Sequence, residues 1–173
     1  MSSAACDSAA PSRIFVSYHH DNDRYFYGEF CRLFANRYEM SDDASVARTT
    51  GSNDAEGIIR NLRANYVAGT DQTIVLCGLL TPWRKFVDWE IKATLDEAHG
   101  LIGINLPTNP SGAQGRSIVP SRLYDNLRSG YAVLLQWQQV RLAPELLAES
   151  LQQAATRPAH LISNSMPLLR KGS

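Results

Sequence analysis

The chain holds 173 residues, with 17 Lys and Arg balancing 17 Asp and Glu. That length suits one domain with a core large enough to need no covalent staples. The even charge and the lack of a long basic run argue against a nucleic-acid or membrane partner. Three cysteines without CxxC or Cys/His spacing argue against a disulfide framework or a zinc site.

Residues 1–12 are small and polar, and disorder is expected there. They lack the basic start and apolar core of a signal peptide, and the longest apolar run, Thr73 to Leu80, is too short to cross a bilayer. A cytoplasmic location is therefore expected. Cys31 and Cys77 read as small buried hydrophobes.

Ile14 to Tyr18 is a short apolar run that predicts a buried strand. Polar residues follow at once, and then Phe26, Phe30, Leu33 and Phe34 recur at helical spacing. Asp21 or Asp23 is expected to cap this helix by accepting first-turn N–H groups. Residues 39–53 read as a loop with a short edge strand near Ser45–Arg48. Asn53 with Glu56 forms a capping-box pattern before a second helix, whose apolar face is Ile58, Ile59, Leu62 and Tyr66. Gly69 is its expected stop.

Thr73 to Cys77 is apolar throughout, as a strand covered on both faces should be. After Gly78 and Thr81-Pro82-Trp83 a helix is predicted to run to about His99, ended by Gly100, with Val87, Ile91, Thr94, Leu95 and Ala98 inward. Leu101 to Leu106 is a further buried strand, and 107–117 is a loop rich in Pro and Gly. Ile118 to Ser129 has no regular pattern. Tyr131 to Trp137 is the last strand, and Pro144 opens the last helix. The tail after Arg157 shows no periodicity.

Strands alternating with helices predict an α/β fold: a five-stranded, mostly parallel sheet with helices on both faces, in flavodoxin-like order. Ligands of such sheets bind beyond the carboxyl ends of the strands. That rule selects two segments. One is Ser17 to Asp23, where His19 or His20 could hold an anion or move a proton. The other is Thr81 to Glu90. Glu90 borders the inward stripe of its helix near the sheet edge, with Phe86 one turn back and Trp83 beyond. A carboxylate among aromatic rings is poorly solvated and retains a strong field. By spacing alone, Glu90 reads first as an ordinary helix glutamate, and Trp83, Phe86 and Trp89 first as core or interface residues. No GxGxxG, Walker, GxSxG or HExxH pattern occurs. Asp42 and Asp43 imitate a phosphoacceptor pair but follow no convincing strand.

Taken together, RIFVSYHHDNDRYF, NDAEGIIRNL, TIVLCGLLTPWRKFVDWEI and GLIGINL resemble the TIR-like domain of the bacterial Thoeris antiphage system, the ThsB type. The resemblance covers about residues 13–137. It implies a TIR domain over 13–157, with 158–173 as a tail. It further implies an enzyme that takes NAD as substrate, needs no cofactor, and cleaves the nicotinamide–ribose bond. Its product is a cyclic ADP-ribose isomer or a related derivative that activates a partner effector. Self-assembly through the domain is a second kind of partnership. The resemblance makes Glu90 the catalytic residue and assigns Ser17, Tyr18, His19, Asp21, Asp23, Trp83 and Phe86 to the substrate pocket. Pro82-Trp83-Arg84-Lys85 and Phe86 depart from the family pattern. A non-catalytic TIR-like interaction module remains the alternative, and a flavin-binding or receiver-like domain is a third reading.

Overall fold

A computed structural model describes residues 11–44, 54–109 and 115–171. In chain order the main elements are β1 (Arg13–Ser17), α1 (His20–Phe34), β2 (Glu39–Met40), α2 (Ala55–Leu62), β3 (Gln72–Cys77), α3 (Lys85–Asp96), β4 (Gly100–Asn105), α4 (Ser121–Ser129), β5 (Val133–Gln136), α5 (Trp137–Leu142) and α6 (Pro144–Ala155). The strands form one sheet in the order β2-β1-β3-β4-β5, with every pairing parallel. This is the expected flavodoxin-like arrangement, and the strand order reverses between β1 and β3.

Alternation along the strands sorts the core into two layers. Ile14, Val16, Ile74, Leu76, Ile102 and Ile104 face Phe30 and Phe34 of α1 and Leu147, Leu151 and Ala154 of α6. On the other face Phe15 meets α2 and Trp89, while Val75, Cys77 and Leu101 meet Val87, Ile91 and Leu123. Among the described residues no helix is long and apolar enough to cross a membrane.

Several expectations need correction. His19, not Asp21 or Asp23, is the N-cap of α1, and its ring accepts the Asn22 N–H. The edge strand is Glu39–Met40. Its expected position at 45–48, and Asn53 of the capping box, lie outside the described residues, as do residues 1–10. Asp54 occupies the N-cap of α2, and the helix widens over Arg63–Val67 before Gly69. The helix after β3 stops earlier than expected. Ala98 takes the left-handed conformation at φ 53°, and Gly100 instead opens β4, pressed against Ala154. Ala98 is exposed and does not join the inward stripe. Residues 121–129 are helical, and Trp137 begins α5 after a shorter β5.

Candidate functional site

The carboxyl ends of β1 and β3 flank the order reversal and place the two selected segments side by side. Ser17 ends β1, and its hydroxyl donates to Glu90 Oε2 at 2.6 Å. Both residues are fully buried. A short bond to a carboxylate in a site shielded from water is about twice as strong as a neutral one. Glu90 reaches Ser17 because α3 is stitched to β3 one turn later. Thr94 Oγ1 donates to the Glu90 carbonyl at 2.9 Å, and the Thr73 hydroxyl lies 2.7 Å from Thr94 Oγ1.

Tyr18 leaves β1 toward the opposite layer. It stacks on Tyr27 with ring centroids 4.3 Å apart. Its hydroxyl donates to Asp43 Oδ2 at 2.7 Å and lies 3.1 Å from His20 Nδ1. Since the Tyr18 proton goes to Asp43, the His20 contact requires the proton on Nδ1. Asp43 thus joins the site from just after β2, a strand of two residues that no sequence periodicity could announce. His19 uses Nδ1 as an acceptor in the helix cap, which leaves the proton of the neutral ring on Nε2.

Asp23 is fully buried. Its Oδ2 accepts from Thr81 Oγ1 at 2.9 Å, and Thr81 Oγ1 accepts from the Gly78 N–H at 2.9 Å. Any Cβ at Gly78 would collide with the Asp23 carboxylate, so only glycine fits after β3. Asp23 Oδ1 has no hydrogen-bond partner. Burial raises the Asp23 pKa above the ordinary carboxylate range; the Thr81 hydroxyl and the His19 backbone oppose the rise.

The remaining predicted residues are dispersed. Asp21 is exposed on the first turn of α1. Trp83 projects from the Thr81–Trp83 turn with 53% of its surface exposed. Phe86 meets Trp89 edge-on at 5.3 Å and packs with the apolar cluster of Phe15 and α2. Sequence reasoning missed Thr81 as the partner of Asp23, and it missed the Asp88–Arg122 pair behind α3. Arg122 is fully buried and donates from Nε to Asp88 Oδ1 at 2.8 Å. A basic residue in a stretch without apolar rhythm gave no cue to burial.

The family model of the Thoeris protein ThsB, TIR-like domain, matches residues 15–111. The chain belongs to this family. Its matched segment runs from β1 through β4 and contains Ser17, Asp23, Thr81 and Glu90. Among solved structures, the TIR domains of the activated Roq1 resistosome directly recognizing the pathogen effector XopQ are similar at 12% identity. The alignment covers 86% of each chain, with a TM-score of 0.41. No curated protein matches the sequence. The ThsB-type domain here has a buried carboxylate where the strand order of its parallel sheet reverses, which is where such sheets bind ligands.

Proposed function

We propose that the protein cleaves the nicotinamide–ribose bond of NAD and makes a cyclic ADP-ribose isomer, or a related derivative, as an antiphage signal for a partner effector. The observation that carries this reading is Glu90, buried at the sheet's carboxyl edge and held by Ser17. Nicotinamide is a cationic leaving group, so it departs as a neutral ring with the electron pair of the C–N bond and no strong acid is required. Positive charge develops on the ribose carbon and ring oxygen. A carboxylate shielded from water stabilises that charge and orients the ribose hydroxyls, as in glycoside hydrolysis. Capture of the ribosyl cation by water gives hydrolysis, with loss of a proton. Capture by a nucleophile of the same molecule closes a ring. Exclusion of water decides between them.

Ser17 occupies an acceptor position on Glu90 that a ribose hydroxyl would need, and Glu90 has no exposed surface. Turnover in this reading requires the edge to open and Ser17 to yield. The same closure favours a second reading: a TIR-like module in which the Ser17–Glu90 bond only pins α3 to the sheet.

Incubating the protein with NAD, alone and with partner proteins or phage lysate, separates the two. Wild type should release nicotinamide. Glu90→Gln should be slower by about 10²–10³, the typical cost of losing one electrostatic stabiliser of a transition state. Equal release by both proteins would remove Glu90 from the chemistry, and assembly without turnover under every trigger would favour the module.

A further inference from the structure

The segment after α6 makes one short helical turn at Ala159–Leu161 and then runs irregularly along α3 and α4, held by polar contacts and by the packing of Leu161, Ile162 and Leu168. Asn126, fully buried on α4, grips both backbone groups of Ser163: its Nδ2 donates to the carbonyl at 2.8 Å and its Oδ1 accepts the N–H at 3.0 Å. Arg122 Nη1 donates to Asn164 Oδ1 at 2.8 Å, and Nη2 lies 3.2 Å from each of the Met166 and Pro167 carbonyls. The same guanidinium holds Asp88 through Nε and Nη2. Asn164 Nδ2 adds a bond to Asp96 Oδ1 at 2.8 Å, at the far end of α3.

Leu169 makes the decisive contacts. Its N–H donates to Asp88 Oδ2 at 2.9 Å, and its carbonyl accepts from Trp89 Nε1 at 3.0 Å. One peptide residue thus holds the two side chains that immediately precede Glu90. Leu168 packs beside them against the cluster containing Trp89 and Ile59. Beside these contacts lies a cavity of about 280 Å³, lined by Asp88, Pro82 and Pro120 on one side and by Met166, Leu168 and Leu169 of the segment on the other. Helix α3 also lacks a side-chain cap at Arg84. Its first turn is therefore positioned largely from outside, by tertiary contacts rather than its own terminus.

We propose that residues 163–169 form a positioning strap for Glu90. Asp88 lies roughly opposite Glu90 around the helix. By holding Asp88 and Trp89 from behind, the strap fixes the rotation and height at which Glu90 meets the ribose. Arg122, Asn164 and Leu169 are positioning residues in this scheme and never touch substrate. The inference rests on the proposed NAD cleavage for its kinetic consequence, but the restraint on α3 is measurable without it.

The test uses full-length Asn164→Ala, Leu168→Ser and the double variant, compared with wild type and Glu90→Gln. Amide hydrogen exchange is read over 86–91 and 163–169, alongside NAD-cleavage kinetics. Strap amides should exchange about tenfold faster in each single variant, and amides 86–91 should lose protection with them. The kcat should fall about tenfold, since small misplacements of a catalytic group have large effects on rate. KM should stay within about twofold, because Glu90 acts chiefly on the charge that develops in the transition state, and an interaction made there lowers kcat rather than raising KM. Glu90→Gln should slow turnover by about 10²–10³ and keep the strap protected. A released strap with unchanged protection at 86–91, or with unchanged kcat, would overturn the proposal. So would a rise in KM alone, or a strap still protected in the double variant. Absence of turnover in wild type counts against the NAD reading only; protection at 86–91 then decides the strap.

Discussion

Asp23 carries one of the least compensated polar groups in the site. Its carboxylate is fully buried against Gly78, one oxygen has the Thr81 hydroxyl, and the other has no hydrogen-bond partner. Burial favours the neutral acid, so the folded-state pKa lies above the unfolded one. The sign of the linkage follows. Below the ordinary carboxylate range Asp23 is neutral in both states, and its contribution to stability is fully present. As pH rises through the raised folded-state pKa, the buried group must ionise and that contribution is lost. Asn keeps the shape and an acceptor for Thr81 but cannot ionise. The melting temperature of Asp23→Asn relative to wild type should therefore climb as pH rises from the acid range toward neutrality. Thermal melts of the two proteins at matched pH values measure this difference, in which shared titrations cancel. A flat difference would mean that water or a counter-charge reaches Asp23. The pairing of Asp23 with Thr81 was not legible in the sequence, because it joins residues 58 apart. What could be read was that an acid-rich loop follows β1; its capping role belongs to His19, whose ring nitrogen reaches the Asn22 amide instead.

At the scale of elements, legibility followed how each element is held. The inner strands announced themselves because both their faces are covered, so β3 and β4 are continuous apolar runs with nearly every residue buried. Helix α1 was readable from Phe30 and Phe34, which drop into the core one turn apart. Helix α4 was not, since two of its three buried residues are Arg122 and Asn126. An apolar rhythm cannot mark a helix whose buried polar side chains hold a neighbouring segment through hydrogen bonds. The strap escaped for the same reason: its order comes from Arg122, Asn126 and Asp88, not from its own sequence. Asn126→Leu tests this account. Leucine restores the missing apolar stripe and removes no volume, so a helix that merely wanted packing would gain. Here the Ser163 N–H and carbonyl both lose their partner, and an unpaired, partly buried backbone group costs about 1–3 kcal/mol. Urea unfolding of Asn126→Leu should show a loss of about that size, with the change in exchange concentrated at 163–164. A stabilised variant would show that the polar face is dispensable.

For the whole molecule, the Asp88–Arg122 pair closes a long circuit: it joins residues 34 apart on two helices, and the Leu169 N–H ties the strap to the same Asp88 across 81 residues. The energetics of the pair turn on how completely the guanidinium is satisfied. Arg122 has no exposed surface, and its donors are aimed at Asp88, Asn164 and the Met166 and Pro167 carbonyls. The attraction of one cation for one carboxylate offsets two desolvation penalties only with such a complete set of partners. Arg122→Met leaves a buried carboxylate holding little more than the Leu169 N–H, and breaking a buried pair from one side costs about 3–5 kcal/mol. At about 2–4 °C per kcal/mol for a chain of this size, the melting temperature should fall by roughly 6–20 °C. Replacing both partners, as Asp88→Leu with Arg122→Met, removes the stranded charge and should recover part of that loss. Recovery should stop short of wild type, because the strap carbonyls and the Leu169 N–H still lack partners. Denaturant unfolding of the three proteins measures the terms separately. The step from single to double variant reports the stranded Asp88 charge, and the step from double variant to wild type reports the strap. A double variant as stable as wild type would show that water satisfies the freed strap groups, so that in wild type the strap is held by apolar packing and not by Arg122.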